Sequence, residues 1–460
     1  MPTKKKARKA SEKVVNVSGR SDTSGLGDYR AKVRMYRQGL GDCFLITLPR
    51  ESGNPYYILI DCGVILGTSD AATMMTAVVN DIIVTTGGRI DLLVATHEHW
   101  DHLSGFVQAK DAFSQLKVGE VWLGWTEDPK DELAKKLRSE HQALRLALAS
   151  ACARLRFGHG GDSLADTMME FFGAAGQGTT GAALDRVKSF NQDNTRFCFP
   201  TDGPTEPKGT AARLYVLGPP HDEKMIKKYN PTKSHPETYG MVMAALEPAL
   251  TNSGAGAPFD PIAQIPLAVA RQMPFFQERY WGEDSDSAEK DQSWRRIDGD
   301  WLDVSSSMAL QLDSATNNTS LVIAIELEDG DVLLFAADAQ VGNWLSWQQL
   351  SWNVGGKKIT GPELLSRTIL YKTGHHGSHN ATLQQHGLEL MKKLQIAFIP
   401  VDHAMALKKR WGKMPLDKLE ARLNEITKGR VLRIDQAVPA GMASQVTQDK
   451  SKKLYYEVMV

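Results

Sequence analysis

The short apolar run Ile90–Ala95 ends abruptly in Thr96-His97-Glu98-His99-Trp100-Asp101-His102. Three imidazoles and one carboxylate, those of His97, His99, His102 and Asp101, fall within six residues. Packing four such groups together removes their water and leaves polar atoms in need of partners. A divalent cation supplies them, since zinc takes neutral imidazole nitrogen and carboxylate oxygen at roughly 2.0–2.2 Å. An H-x-H pair alone is weak, because alternate residues of a strand share a face by geometry. The whole H-x-H-x-D-H block is stronger. Its competing reading is a solvated polar loop.

Two further apolar runs end in polar groups of the same kind. Leu333-Leu334-Phe335-Ala336-Ala337 leads to Asp338, whose competing reading is a turn or cap residue. Thr368–Lys372 leads to Thr373-Gly374-His375-His376-Gly377-Ser378-His379. Strand ends converging on one rim are the usual position of a site in open α/β sheets.

The remaining pattern is consistent with that architecture. Strands are expected within Ala31–Gln38, Cys43–Leu48, Tyr56–Ile60, Arg213–Leu217, Ile396–Val401 and Val431–Ile434. A hairpin is expected from Ser320–Glu328 to Val332–Ala336, around Asp329-Gly330. Helices are expected over Ala71–Val84, Glu237–Glu247, Pro261–Tyr280, Asn343–Trp352 and Leu416–Thr427. Another begins at Asp128-Pro129 and carries the stripe Leu133, Leu137, Leu144, Leu148 and Leu155 up to Gly158. Alternating strands and helices signal an α/β layered fold. Residues 1–27 are a basic, aperiodic stretch expected to be a flexible tail. Residues 28–460 then read as a single domain with two largely helical or loop insertions, at about 111–210 and 222–315.

Composition narrows the function classes. With 54 Lys+Arg against 54 Asp+Glu in 460 residues, the chain lacks the bulk charge of a protein that coats nucleic acid. No window approaches the ~18 apolar residues of a membrane span. The basic N-terminal stretch is followed by no apolar run, so it does not read as a secretory signal. Cys43, Cys62, Cys152 and Cys198 form no C-x-x-C pair, so they read as reduced thiols of a cytoplasmic protein.

Taken in order, Gly39-Leu40-Gly41-Asp42, Ile60-Asp61-Cys62-Gly63, Thr96–His102, Asn318–Asp338 and Gly374–Ser378 resemble the metallo-β-lactamase fold superfamily. The set is most similar to the metal-dependent domain of ComEC-type DNA-uptake proteins. The resemblance covers roughly residues 31–110 and 316–415, and neither the insertions nor the tail. It implies a four-layer αββα sandwich with two divalent metal ions, zinc or alternatively manganese or iron. It implies that His97 and His99 hold one ion, that Asp101, His102 and His375 hold the other, and that Asp338 bridges them. Asp61 would steady a ligand histidine from behind. His376 would face the substrate, with Ser378 and His379 on the same surface. Asp101 and His376 are the candidate catalytic residues.

Two positions depart from the family pattern. Ala337 stands where the family usually has Gly. Much of the fold also carries a third histidine for the first ion in a P-G-H-type turn. Here Pro219-Pro220-His221 occupies a similar place, but the ComEC-type branch often lacks that ligand, so His221 reads either as a ligand or as a loop residue.

Two such ions would share a water and lower its pKa toward ~7, generating a metal-bound hydroxide. The implied activity is that of a phosphodiesterase or nuclease acting on nucleic acid or a nucleotide. The alternatives are a lactonase- or lactamase-like ester or amide hydrolase, and a non-catalytic metal-binding interaction protein. The insertion residues Trp281, Trp294, Trp301, Arg295 and Arg296 read as a small core or as a lid over the substrate.

Overall fold

A computed structural model describes residues 29–158, 179–232, 237–238, 265, 267–270, 272–280, 312–409, 414–451 and 453–460, with the side chains of 147–158, 267, 268 and 278 excepted. The 1–27 tail, nearly all of the helix expected over Glu237–Glu247 and the Trp281–Trp301 cluster lie outside the described residues.

The chain builds an α/β fold around two mixed sheets. The first holds β1 (Lys32–Tyr36), β2 (Phe44–Leu48), β3 (Tyr56–Ile60), β4 (Arg89–Val94), β5 (Lys117–Gly124), β6 (Thr195–Cys198), β15 (Val446–Gln448) and β16 (Tyr455–Met459). Their order is β15-β16-β1-β2-β3-β4-β5-β6. The second holds β7 (Arg213–Gly218), β8 (Val322–Glu326), β9 (Val332–Phe335), β12 (Thr368–Lys372), β13 (Ile396–Ile399) and β14 (Val431–Arg433). Their order is β14-β13-β12-β9-β8-β7. Pairings β3–β4, β4–β5 and β5–β6 are parallel in the first sheet, as are β9–β12, β12–β13 and β13–β14 in the second. A small hairpin of β10 (Ser351–Val354) and β11 (Lys357–Thr360) stands apart.

The period-2 alternation of the strands sets the layers. On β2, Phe44, Ile46 and Leu48 enter a core shared with Ile323, Ile325, Phe335, Leu370 and Phe398 of the second sheet. Leu45 points the other way, toward Met75, Val78, Leu103 and Phe106. Those residues lie on the helices Ala71–Thr86 and Trp100–Gln108. The far face of the second sheet packs on Trp344, Leu364, Leu365, Leu419 and Leu423, again from helices. The arrangement is compatible with a layered sandwich. The central strands β3, β4, β9 and β12 are almost wholly buried, which is why they read as continuous apolar runs.

Several expectations change at this level. The stretch 111–210 contains β5 and β6, both members of the first sheet, with most of its helical residues between them. The long helix starts at Glu132 and not at Asp128. Asp131 caps it by accepting from the Ala134 N–H at 2.8 Å. The helix expected over Asn343–Trp352 ends at Ser346, and a 3-10 turn then leads into β10. Among the described residues no helix is long and apolar enough to cross a membrane. Cys43, Cys62 and Cys198 are buried and free.

Candidate metal centre

β3 and β4 run parallel in one sheet, and β9 and β12 run parallel in the other. All four deliver polar residues just past their C-terminal ends. Asp61 follows β3, and Thr96 to His102 follow β4. Asp338 follows β9, and His375 with His376 follow β12.

The Thr96–His102 block is a short loop that runs into a helix. His99 stands just before the first turn of the helix Trp100–Gln108, and Asp101 and His102 lie within that turn. Two other turns clamp it. The Asp42 N–H donates to Asp101 O at 3.0 Å and the Cys62 N–H to His102 O at 2.9 Å. The approach is so close that a Cβ on Gly63 would lie 2.4 Å from the Asp101 carbonyl carbon. Only glycine fits there, which accounts for Gly63 in the Asp61-Cys62-Gly63 turn.

The hub is one oxygen. Asp338 Oδ2 lies 3.2 Å from His102 Nε2, 3.7 Å from His376 Nε2, 3.9 Å from His97 Nε2 and 4.0 Å from His375 Nε2. Its other oxygen, Oδ1, faces Lys372 Nζ at 3.3 Å. Ligand atoms of Asp101, His102, Asp338 and His376 all lie within 4.8 Å of one another, and all four residues are buried. The His97–His99 pair adjoins this group, with His97 Nε2 3.1 Å from His99 Nδ1.

Three of these histidines are held by their other nitrogen. His102 Nδ1 pairs with Asp61 Oδ2 at 2.7 Å. Asp61 also accepts from the Thr96 N–H at 2.8 Å and from the Thr96 hydroxyl at 2.6 Å. His376 Nδ1 donates to Pro400 O at 2.9 Å, which turns Nε2 toward Asp101 Oδ2 at 3.0 Å. His97 Nδ1 faces the hydroxyls of Thr96 and Ser320 at 3.0 and 3.3 Å.

The structure sets the paired histidines, His375 and His376, differently against Asp338. His376, not His375, contributes to the four-residue group. The cause is local: both residues have positive φ, 41° and 51°, and this left-handed turn sends the second ring inward. His375 sits nearer the opening, its side chain 11% exposed against 0% for His376. Ser378 Oγ lies 3.1 Å from His375 Nδ1 and donates to Asn380 Oδ1. His379 is partly buried and makes none of these contacts. His221 is not in the cluster. Its Nε2 pairs with Asp131 Oδ2 at 2.9 Å, and its ring packs edge-on against Trp125 on a half-exposed surface.

Electrostatics fit a cation at the hub. Burial pushes the His97 pKa well down, and takes His99 to about 4 and His375 to about 3. Burial also opposes charge on His102, but Asp338, Asp42, Asp101 and Asp61 outweigh it and raise its pKa well above the usual value. His376 is raised for the same kind of reason, chiefly by Asp338 and Asp101 acting against burial. Burial disfavours the Asp101 carboxylate, yet His102 and His376 hold it down to about 2. So without an ion a proton at His102 compensates the carboxylates. Among the described residues, His102 Nε2 is nevertheless buried with no hydrogen-bond partner. An orphaned imidazole nitrogen beside the carboxylates of Asp101 and Asp338 fits a divalent ion by donor type and by charge.

Sequence reasoning assigned no role to Lys372. Burial works against its charge, but Asp42 and Asp338 prevail and hold its pKa above the usual lysine value. It lies 2.5 Å from Asp42 Oδ2 and donates to Ala337 O at 2.8 Å. A lysine closing the otherwise apolar strand Thr368–Lys372 was the available signal. Asp313 and Asn317, near His99 and His375, carried none.

Glu98, the one acid of the block turned away from the cluster, accepts from Arg145 at 3.0 Å and Thr180 at 2.8 Å. It thereby ties the long helix and the helix Thr180–Ser189 to the ligand block.

Comparison with protein-family models finds no match to this chain, and comparison with curated proteins finds none either.

Proposed function

We propose that this chain is a hydrolase of the metallo-β-lactamase type with a two-ion centre, acting on phosphodiester bonds of nucleic acid or a nucleotide. The observation that carries the reading is Asp338 Oδ2, a single carboxylate oxygen facing four imidazole nitrogens at 3.2–4.0 Å. An oxygen so placed can serve two ions together.

Asp101, His102, Asp338 and His376 would hold one ion, and His97 with His99 the other, sharing Asp338. Zinc suits this nitrogen and oxygen set, and manganese or iron are compatible with it. Bound ions supply Lewis acidity, which lowers the pKa of water and polarises a phosphoryl oxygen. The protein does the rest. Lys372 fixes Asp338 by its second oxygen and keeps the hub from rotating. Asp61 and Pro400 fix the tautomers of His102 and His376, so that each presents a bare Nε2 inward. His375 stands at the opening, where it can contact a phosphate oxygen.

The experiment is hydrolysis of bis(p-nitrophenyl) phosphate by protein loaded with Zn2+ or Mn2+. Turnover that disappears in Asp101→Ala is the expected result. Two bound ions with no turnover would overturn the phosphodiesterase assignment and direct the search to ester and amide substrates.

A further inference from the structure

Of the four histidines assigned as ligands above, three have a partner on the nitrogen that points away from the hub. His97 has the hydroxyls of Thr96 and Ser320, His102 has Asp61, and His376 has Pro400 O. His99 differs. Its Nδ1 is the nitrogen that faces His97 Nε2, so Nε2 points outward, and this Nε2 is buried without a hydrogen-bond partner. Asp313 Oδ1 stands 3.7 Å from this Nε2, just beyond hydrogen-bond reach.

Asp313 is itself buried, and its other oxygen accepts from Asn317 Nδ2 at 3.1 Å. The same Nδ2 lies 3.4 Å from His375 Nε2. Both residues sit on the helical segment 312–317. The chain just after this segment is firmly anchored. Asn318 Nδ2 donates to Met225 O and Ile226 O, and its Oδ1 accepts from the Gln340 and Asn343 N–H groups. The Leu321 N–H donates to Thr96 O at 2.8 Å, which ties this stretch to the ligand block.

We infer that Asp313 is the positioning residue of His99: it accepts the His99 Nε2–H, closes the 3.7 Å gap when an ion draws on Nδ1, and so sets the affinity of the first metal site. Asp313 thus does for His99 what Asp61 does for His102. The inference rests on the two-ion reading above. It adds that a residue beyond the ligand motifs, at the end of the 222–315 stretch, belongs to the centre.

The test uses the full chain, with Zn2+ and Co2+ as probes and chelator competition as the readout. Outer partners of ligand histidines typically contribute about 10–100-fold in metal affinity. Asp313→Ala should weaken one of two ions by about that factor and spare the other. The visible spectrum of the Co2+ form should shift with it. Asp313→Asn keeps a carbonyl acceptor at the same place, so it should recover most of the loss. It also serves if the alanine variant does not fold.

Unchanged affinities and an unchanged Co2+ spectrum in both variants would overturn the role of Asp313 while leaving the two-ion reading intact. Complete loss of one ion from Asp313→Ala and Asp313→Asn alike would overturn it differently, by making Asp313 a direct ligand. Wild-type protein that takes up no divalent ion would remove the two-ion reading, and the inference with it.

Discussion

Four residues near the hub hold left-handed backbone without being glycine: Asp61, Ala337, His375 and His376. Each such residue costs about 1–2 kcal/mol against its ordinary conformation. At Ala337, with φ 48°, no side-chain function offsets that cost. Its carbonyl is needed, because it accepts from Lys372 Nζ and from the His375 N–H. Ala337→Gly should therefore keep the contacts and raise stability by about 1 kcal/mol, read as a higher urea midpoint of the metal-free protein. The histidine pair makes a sharper test. His376→Ala should lower metal content measured by elemental analysis, whereas His375→Ala should retain both ions and slow turnover. The opposite pattern would restore the roles expected from the sequence. Proximity to the strand end favours His375. A reversal of chirality over two residues is invisible in a string of letters, so that choice could only be made from backbone geometry.

Among the elements, legibility followed burial. β3 and β12 match their expected bounds because both are apolar runs buried on both faces. β5 begins with exposed Lys117 and contains Gly119 and Glu120, so its pattern is diluted. β16 alternates buried and more exposed residues over only five positions, too short a run to mark a strand by its pattern. The helix Trp100–Gln108 was hidden for a different reason. Its first turn consists of ligand residues, and seven of its nine residues are buried, which leaves no polar face to mark the period. The G-x-G-D and D-x-G turns were legible as motifs, but their purpose is steric. They let two backbones meet the start of that helix. Gly63→Ala should accordingly force the turn off Asp101, cost about 1–3 kcal/mol as overpacking does, and reduce metal content as well. Normal ion content in a fully stable Gly63→Ala protein would show that the close approach is dispensable.

For the molecule as a whole, the buried imidazoles link folding to pH with two opposite signs. His99 and His375 are pushed down to about 4 and about 3. Unfolded, each titrates near ~6.5. Below that value the unfolded chain binds protons that the folded chain refuses, so their contribution is lost as pH falls from about 6.5 toward 4. His102 and His376 are raised. Their contribution is complete below about 6.5 and is lost as pH climbs through their folded values. Urea midpoints of the metal-free protein should therefore peak near pH ~6.5. Ion binding requires deprotonated imidazole, so it should release protons and flatten the alkaline side of that peak. A metal-free profile that keeps rising to pH 8 would contradict the assignment of charge to His102.

The pairing of β1 with β16 joins Lys32 to Met459 and Tyr36 to Tyr455. In a protein made from one end, this sets a schedule. While the chain emerges from the ribosome, the β1 edge that β16 will cover stays open until β16 itself has been made. Unpaired edges of this kind are where nascent sheets aggregate. The centre obeys the same clock, for His97, His99, Asp101 and His102 are synthesised long before Asp338 and His376. On the two-ion proposal, an ion captured early would meet an incomplete ligand set, so metal loading would wait until the segment carrying His376 has been made.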